Sequence, residues 1–207
     1  MKPTFDLSLY CVTDPSARFG VEDTVAKAAL GGATLVQLRD KDAPEGAFVA
    51  LGQALVARLK PLGIALLIND RVHLARPIGA AGAHIGQSDE DVATARSILG
   101  PDAILGLSIE NEKQLEGVDW SLVDYIGVGP VKATATKPDH APPLGWAGLS
   151  AICAAAPVPC VAIGGLNASD VGHVKDAGAE GIAVVSALMA AKDPTAAARA
   201  MMEAFQT

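Results

Sequence analysis

Eight short apolar runs recur along this 207-residue chain, and each is followed by a polar or glycine-bearing break and then by a segment of helical spacing. They read LYCVTD, TLVQLR, ALLIND, AHIGQS, ILGLSI, YIGVGP, CVAIGG and GIAVVS. Short apolar runs alternating with helical segments are the pattern of β/α units, in which parallel strands are joined by crossover helices. Eight such units close a barrel. Between the strands, VEDTVAKAALGG, GAFVALGQALVARLKPLG and DEDVATARSILG carry apolar residues three and four apart and finish on glycine, which predicts helices with left-handed C-terminal caps. NASDVGHVKDAG and DPTAAARAMMEAF begin on polar residues, with Asn167 and Asp193 as expected N-caps. Three helix-to-strand joints, GGATLVQL, GAAGAHIG and DAGAEGIAVV, echo one another as repeats of one unit. A doubly wound open sheet shares the alternation, but the chain lacks its G-x-G-x-x-G loop after the first strand. The expected fold is a single α/β domain over residues 1–207, a (β/α)8 TIM barrel.

The chain is long enough for one large core, half of its residues are apolar, and its net charge is −7. That charge argues against general affinity for nucleic acid or an anionic membrane surface, so any bound anion needs a few placed residues. MKPTFDLSLY lacks the apolar stretch of a signal peptide, and no later run spans a membrane, giving an expected cytoplasmic location. Cys11, Cys153 and Cys160 are odd in number and lack C-x-x-C spacing, which predicts reduced thiols rather than a disulfide or zinc site.

In such a barrel, chemistry sits where strands end, because there side chains of many strands converge. After TLV, alternation sends Gln37, Arg39 and Lys41 to one side, an amide and two cations suited to a polyanion. A solvated Arg and Lys beside Asp40 and Asp42 would leave the same sequence. Asp70 and Asp89, at the ends of neighbouring strands, suit one hard cation such as Mg²⁺. The alternative pairs Asp70 with Arg71 and makes Asp89 the cap of the helix that follows. Ser108 ends ILGLS and could equally bond its own backbone.

The stretch IGVGPVKATATKP breaks a buried strand with Thr134, Thr136 and Lys137, donors that suit an anion. AIGG ends a strand on Gly164 and Gly165, and Ser186 opens the helix after the last strand. Loops after strands seven and eight are the usual phosphate site of these barrels. The residues therefore suggest two anion sites facing each other across the barrel mouth, one of them with a metal.

Taken in order, LYCVTD, VQLRDK, LLINDRVHLA, HIGQSDED, GLSIEN, YIGVGPVKATATKPD, VAIGGL and VVSAL resemble the thiamine phosphate synthase family over nearly the whole chain. The resemblance implies a transferase that joins a hydroxymethylpyrimidine diphosphate to a thiazole phosphate, in its plain or carboxylated form, with Mg²⁺ and release of diphosphate. It implies that Gln37, Arg39, Lys41, Asn69, Ser108 and Lys137 hold the pyrimidine diphosphate, with Leu38 and Asp40 in the same stretch. Asp70 and Asp89 would bind Mg²⁺. Thr134, Ala135, Thr136, Gly165, Val185 and Ser186 would take the thiazole phosphate, while Arg39, Lys41, Ser108 and Lys137 would act on the reacting groups.

Three departures from the family pattern stand out. Asp40 replaces a common Glu, Glu110 lies where the family often has His, and Lys132 replaces a larger residue and is expected to add charge at the base of the threonine loop. Glu110 must turn away from a diphosphate, pair with a cation or approach the metal. His73, His84 and His173 are expected to be structural, and Trp120 and Trp146 to pack. Two rival readings share the thiazole phosphate site: a thiazole tautomerase-like isomerase, and a non-catalytic thiazole-phosphate-binding protein. Expected partners are small molecules, with homo-oligomerisation left open, and the segment from Thr134 to Leu144 is expected to close over the site.

Overall fold

The computed structural model describes residues 3–134, 136 and 141–206. Eight parallel strands close into a barrel in sequence order: β1 Leu9–Val12, β2 Leu35–Leu38, β3 Ala65–Asn69, β4 Gly82–Ile85, β5 Ile104–Ile109, β6 Tyr125–Val128, β7 Cys160–Ile163 and β8 Gly181–Val184. The ring shuts where β1 pairs with β8, Tyr10 opposite Ala183. The helices are α1 Val21–Leu30, α2 Glu45–Leu59, α3 Ala75–Ile78, α4 Val92–Leu99, α5 Gly145–Ala155, α6 Val171–Asp176, α7 Ser186–Met189 and α8 Pro194–Gln206.

The expected regularity fails at one crossover. β5 is followed by a 3₁₀ turn, Glu112–Leu115, instead of an α-helix, and β8 is followed by two helices. Glu112, Lys113, Gln114 and the Gly117 that follows offer no apolar stripe to lay on the barrel, so the connection stays short.

Strand alternation divides the core in two. One set of side chains fills the barrel: Tyr10, Val12, Leu35, Leu67, Ile104, Tyr125, Val161 and Ala183. The other, including Leu9, Val36, Leu38, Ile68, Ile85, Leu105 and Ile126, packs outward against Val25, Phe48, Leu55, Ile152, Val174 and Met201 of the helices. At roughly 25 cal/mol per Å² of apolar surface buried, each layer stabilises the fold, and the outer one has the more numerous buried residues. Phe5 covers the N-terminal end of the barrel, its ring 5.7 Å from that of Tyr125.

The caps fall partly as expected. Asn167 and Asp170 form a capping box, and Asp193 accepts the Ala196 N–H at 3.0 Å. The glycine ends differ among themselves: Gly63 is left-handed helical, whereas Gly31 is right-handed and Gly100 has a positive φ of 84° with a ψ of 172°, outside the left-handed helical region. All three cysteines are free thiols. No helix among the described residues is long and apolar enough to cross a membrane.

Candidate active site

The C-terminal ends of the strands surround a cavity of about 360 Å³. From β2 come Gln37, Arg39 and Lys41; from β3, Asn69 and Asp70; from β4 and its loop, His84 and Asp89; from β5, Ser108 and Glu110. Thr134, Thr136, Gly164, Gly165, Val185 and Ser186 line the opposite wall. Twelve of the sequence-predicted residues thus share one cavity, although they come from seven strands. Leu38 and Asp40 do not. Alternation turns Leu38 into the layer between barrel and helices, where it is fully buried. Asp40 instead organises its loop, its Oδ1 accepting the N–H groups of Asp42 and Ala43 at 3.2 and 3.1 Å. Ala135 and Lys137, like much of the segment expected to close, lie outside the described residues.

Several uncommitted-looking residues turn out to shape the β2 end. Thr13, fully buried, accepts the Arg39 N–H at 2.9 Å and donates to the Arg39 carbonyl at 3.2 Å. Arg71 lies 4.8 Å over the Phe48 ring and donates to the carbonyls of Lys41 and Ala43 at 2.7 and 2.8 Å. Its guanidinium is therefore engaged by the loop that carries Lys41, and a pairing with Asp70 is not what the sequence neighbours make. Asp89 is likewise not the helix cap. Asp91 is, accepting the Thr94 N–H at 3.0 Å, while Asp89 Oδ2 accepts the Gly86 N–H at 2.6 Å.

Asp70 carries the site's backbone strain. Among the described residues it alone, apart from glycines, has a positive φ, 58°. A side chain held in that region costs of order 1–3 kcal/mol and persists where surrounding structure demands it. Here the conformation turns the carboxylate into the cavity against Asp89. Burial first, then the contact and repulsion from Asp89, push the Asp70 pKa up to about 6, with Lys41 at 3.9 Å only partly offsetting them. Two carboxylates pressed together at a strained turn are a donor set for a hard cation. No group of three His, Cys, Asp or Glu that could hold a metal occurs among the described residues, and the fit rests on the pair alone: Mg²⁺ characteristically takes one or two carboxylates together with water and phosphate oxygens. Mg²⁺ fits this site.

The opposite wall is built from backbone and hydroxyls. Gly165 has a φ of 67°, and a Cβ there would lie 2.6 Å from the Ala133 carbonyl. Only glycine lets the β7 loop pass that close to the β6 loop. Thr134 Oγ1 accepts the Thr136 N–H at 3.2 Å. Lys132 does not add charge to this wall: its Nζ bonds Asp170 Oδ1 at 2.5 Å, where Asp170 is almost fully buried. Glu110 does line the cavity, and its N–H donates to Gln114 Oε1 at 2.6 Å. Trp146 stacks on His173 at 5.0 Å and packs as expected.

Such a constellation, two cations and a carboxylate pair facing a wall of backbone and hydroxyls, can be compared with known proteins. A family model described as thiamine monophosphate synthase matches residues 9–188. The chain belongs to the thiamine monophosphate synthase family. It is 49% identical to a thiamine-phosphate synthase of Azorhizobium caulinodans, covering all of this chain and 99% of that one. A thiamine-phosphate synthase of Xanthobacter autotrophicus is 52% identical, with 99% and 98% covered. The solved thiamine phosphate pyrophosphorylase of Pyrococcus furiosus superposes with a TM-score of 0.88 at 30% identity, with 97% and 96% covered. A 3-hexulose-6-phosphate synthase at 18% identity, with a TM-score of 0.66, shares the barrel fold.

Sequence reasoning missed two tyrosines that thiamine monophosphate synthase family membership did not bring forward either. Tyr10 lines the cavity, and Tyr125 lies directly beneath it, fully buried. Inside strands they read as core, but a hydroxyl on a buried ring needs a partner, and that was the available signal. His84 is structural as expected, yet it also lines the cavity. Burial pushes its pKa down to about 4, so the ring is neutral near pH 7.

Proposed function

We propose that this protein is a cytoplasmic thiamine phosphate synthase, which joins a hydroxymethylpyrimidine diphosphate to a thiazole phosphate. The observation that carries the reading is the shared cavity, with a charged wall and a neutral, backbone-built wall. Gln37, Arg39, Lys41, Asn69 and Ser108 hold the pyrimidine diphosphate, and Thr134, Thr136, Gly165, Val185 and Ser186 hold the thiazole phosphate. Lys137 adds a cation from the β6 loop.

In the reaction the bond between the pyrimidine methylene carbon and the diphosphate oxygen breaks, and its electron pair leaves with the oxygen. The thiazole nitrogen then contributes its lone pair to the new C–N bond. No proton is removed and no enzyme nucleophile is required, so the protein acts by placement and electrostatics. Arg39 and Lys41 stabilise the charge that grows on the departing oxygens, Arg39 being held in place by Thr13 and Lys41 by the loop that Arg71 ties down. Asp70 and Asp89 would hold Mg²⁺, which when bound supplies charge neutralisation for the diphosphate. The two walls set the thiazole nitrogen beside the methylene, so that the reactants need not find each other.

The test is thiamine phosphate formation and diphosphate release by purified protein given both substrates, with Mg²⁺ or with chelator. Metal-dependent release of both products in equal amounts is expected. Thiazole isomerisation without diphosphate release would support the isomerase, and binding without turnover would support the carrier.

A further inference from the structure

Along the cavity floor, five polar side chains from five strands form one continuous hydrogen-bonded chain, and all but Tyr125 line the cavity. Gln37 Nε2 donates to the Tyr10 hydroxyl at 2.7 Å. The hydroxyls of Tyr10 and Tyr125 lie 2.8 Å apart, Tyr125 Oη is 2.9 Å from His84 Nδ1, and His84 Nε2 is 2.9 Å from Ser108 Oγ. Gln37, Tyr10, Tyr125 and His84 are all buried. Both ends of the chain, Gln37 and Ser108, open on the cavity.

The donors fix the direction. An amide nitrogen can only donate, so Tyr10 accepts from Gln37 and its own proton goes to Tyr125. Tyr125 has one proton and gives it to His84 Nδ1. A neutral ring that accepts at Nδ1 carries its hydrogen on Nε2, which donates to Ser108 Oγ. Ser108 is left with its own O–H for the cavity. In the opposite direction Tyr10 would accept from both Gln37 and Tyr125, and its own proton, on a hydroxyl of a residue only 1% exposed, would have no side-chain acceptor in the chain, which is costly.

The barrel makes room for this arrangement. A Cβ on Gly106 would lie 2.2 Å from Tyr125 Cζ and 2.4 Å from His84 Nδ1, and one on Gly127 would lie 3.1 Å from His84 Cε1. Two strand positions that favour β-branched residues are therefore glycines where the two rings stand.

We propose that His84, with Tyr125 and Tyr10 behind it, is a positioning residue that fixes Ser108 as a hydrogen-bond donor to the diphosphate oxygens that gain charge. This rests on the synthase reading above. Without the Tyr125 hydroxyl, His84 is free to take the other tautomer. Its Nε2 would then accept the Ser108 proton, and Ser108 would turn lone pairs toward an anion.

Tyr125→Phe keeps the ring and removes the donor. It is expected to lower kcat about 30-fold, somewhat less than loss of a direct transition-state donor, with KM for both substrates nearly unchanged. In a Ser108→Ala background the same change should cost less than about twofold, because the group it positions is gone. Full additivity of the two losses would overturn the relay. Tyr10→Phe, a second ring-preserving variant, should act in the same direction. Ring-nitrogen NMR of the full chain, with the His84 signals identified by their absence in His84→Gln, reads the relay without activity. Hydrogen on Nε2 in the wild type and a tautomer mixture in Tyr125→Phe are expected, and hydrogen on Nδ1 in the wild type would overturn the proposal. A wild-type protein with hydrogen on Nε2 that releases no diphosphate would instead overturn the synthase reading, and with it the role assigned to Ser108.

Discussion

The two walls of the cavity are built from different groups. The wall from β2 to β5 presents Arg39, Lys41, Asp70, Asp89 and Glu110, while the wall from β6 to β8 contributes no charged side chain among the described residues. The contrast follows what each phosphate does in the proposed reaction. A diphosphate that leaves gains charge as its bond breaks, and fixed charges aimed at it lower the energy of the reaction's transition state. A phosphate that only anchors its molecule gains none. Backbone donors and hydroxyls bind it equally before and during the reaction, which sets affinity rather than rate. Lys132 illustrates the division, because among the described residues the cation of the β6 loop is turned away to Asp170.

The largest expected effect tests the charged wall. Asp70→Gly removes a carboxylate pressed against Asp89 and places the residue best suited to a φ of 58° at that turn. Activity should fall by about 10³-fold or more, while stability to denaturant should hold or rise by about 1 kcal/mol, since strain and repulsion are both relieved. Chelator should have little further effect on the residual rate. A variant that is both less stable and still metal-dependent would show that Asp70 serves the fold and not the metal.

The charged wall was also the more legible one. Arg39, Lys41, Asp70 and Asp89 announce themselves because charge at a strand end has few other reasons to recur at neighbouring strands. What the sequence hid is partnership. Nothing in LINDRV says that Arg71 reaches back to the Lys41 and Ala43 carbonyls, or that Asp91 and not Asp89 caps α4, since both outcomes depend on loop geometry rather than on residue type. Tyr10 and Tyr125 stayed hidden for the opposite reason: apolar rings at inward strand positions satisfy the core pattern fully, and their hydroxyls meet only across the closed barrel. The barrel itself was legible from eight alternating units, except at β5, where a crossover without an apolar stripe left no helix to read.

On the neutral wall, Gly165→Ala should have a smaller and different effect. A methyl 2.6 Å from the Ala133 carbonyl and 2.9 Å from Lys132 Cβ must push the two loops apart, and the positive φ adds strain. KM for the thiazole phosphate should rise about tenfold, with kcat at saturation reduced less than about threefold. An equal loss in kcat would mean that this wall, too, acts on the transition state, and the division between the walls would fail.

The smallest effect concerns Lys132, and it separates a charge that serves the site from one that serves the loop. Its Nζ meets a carboxylate that also accepts the Asn167 N–H at 3.0 Å, so Asp170 joins the β6 loop to the start of α6. Lys132→Met keeps the length of the stem over Trp146 and removes the ion pair. With the lysine side chain 42% exposed, the loss should be about 1 kcal/mol, in the range of a partly solvated charged hydrogen bond. KM for the thiazole phosphate should rise about twofold through a looser loop, and kcat should stay within about twofold. Salt should weaken the wild type toward the variant, because screening acts on the same pair. If Lys132→Met instead lowers kcat tenfold at unchanged KM, the side chain reaches the reacting groups during turnover, and the neutral wall is neutral only at rest.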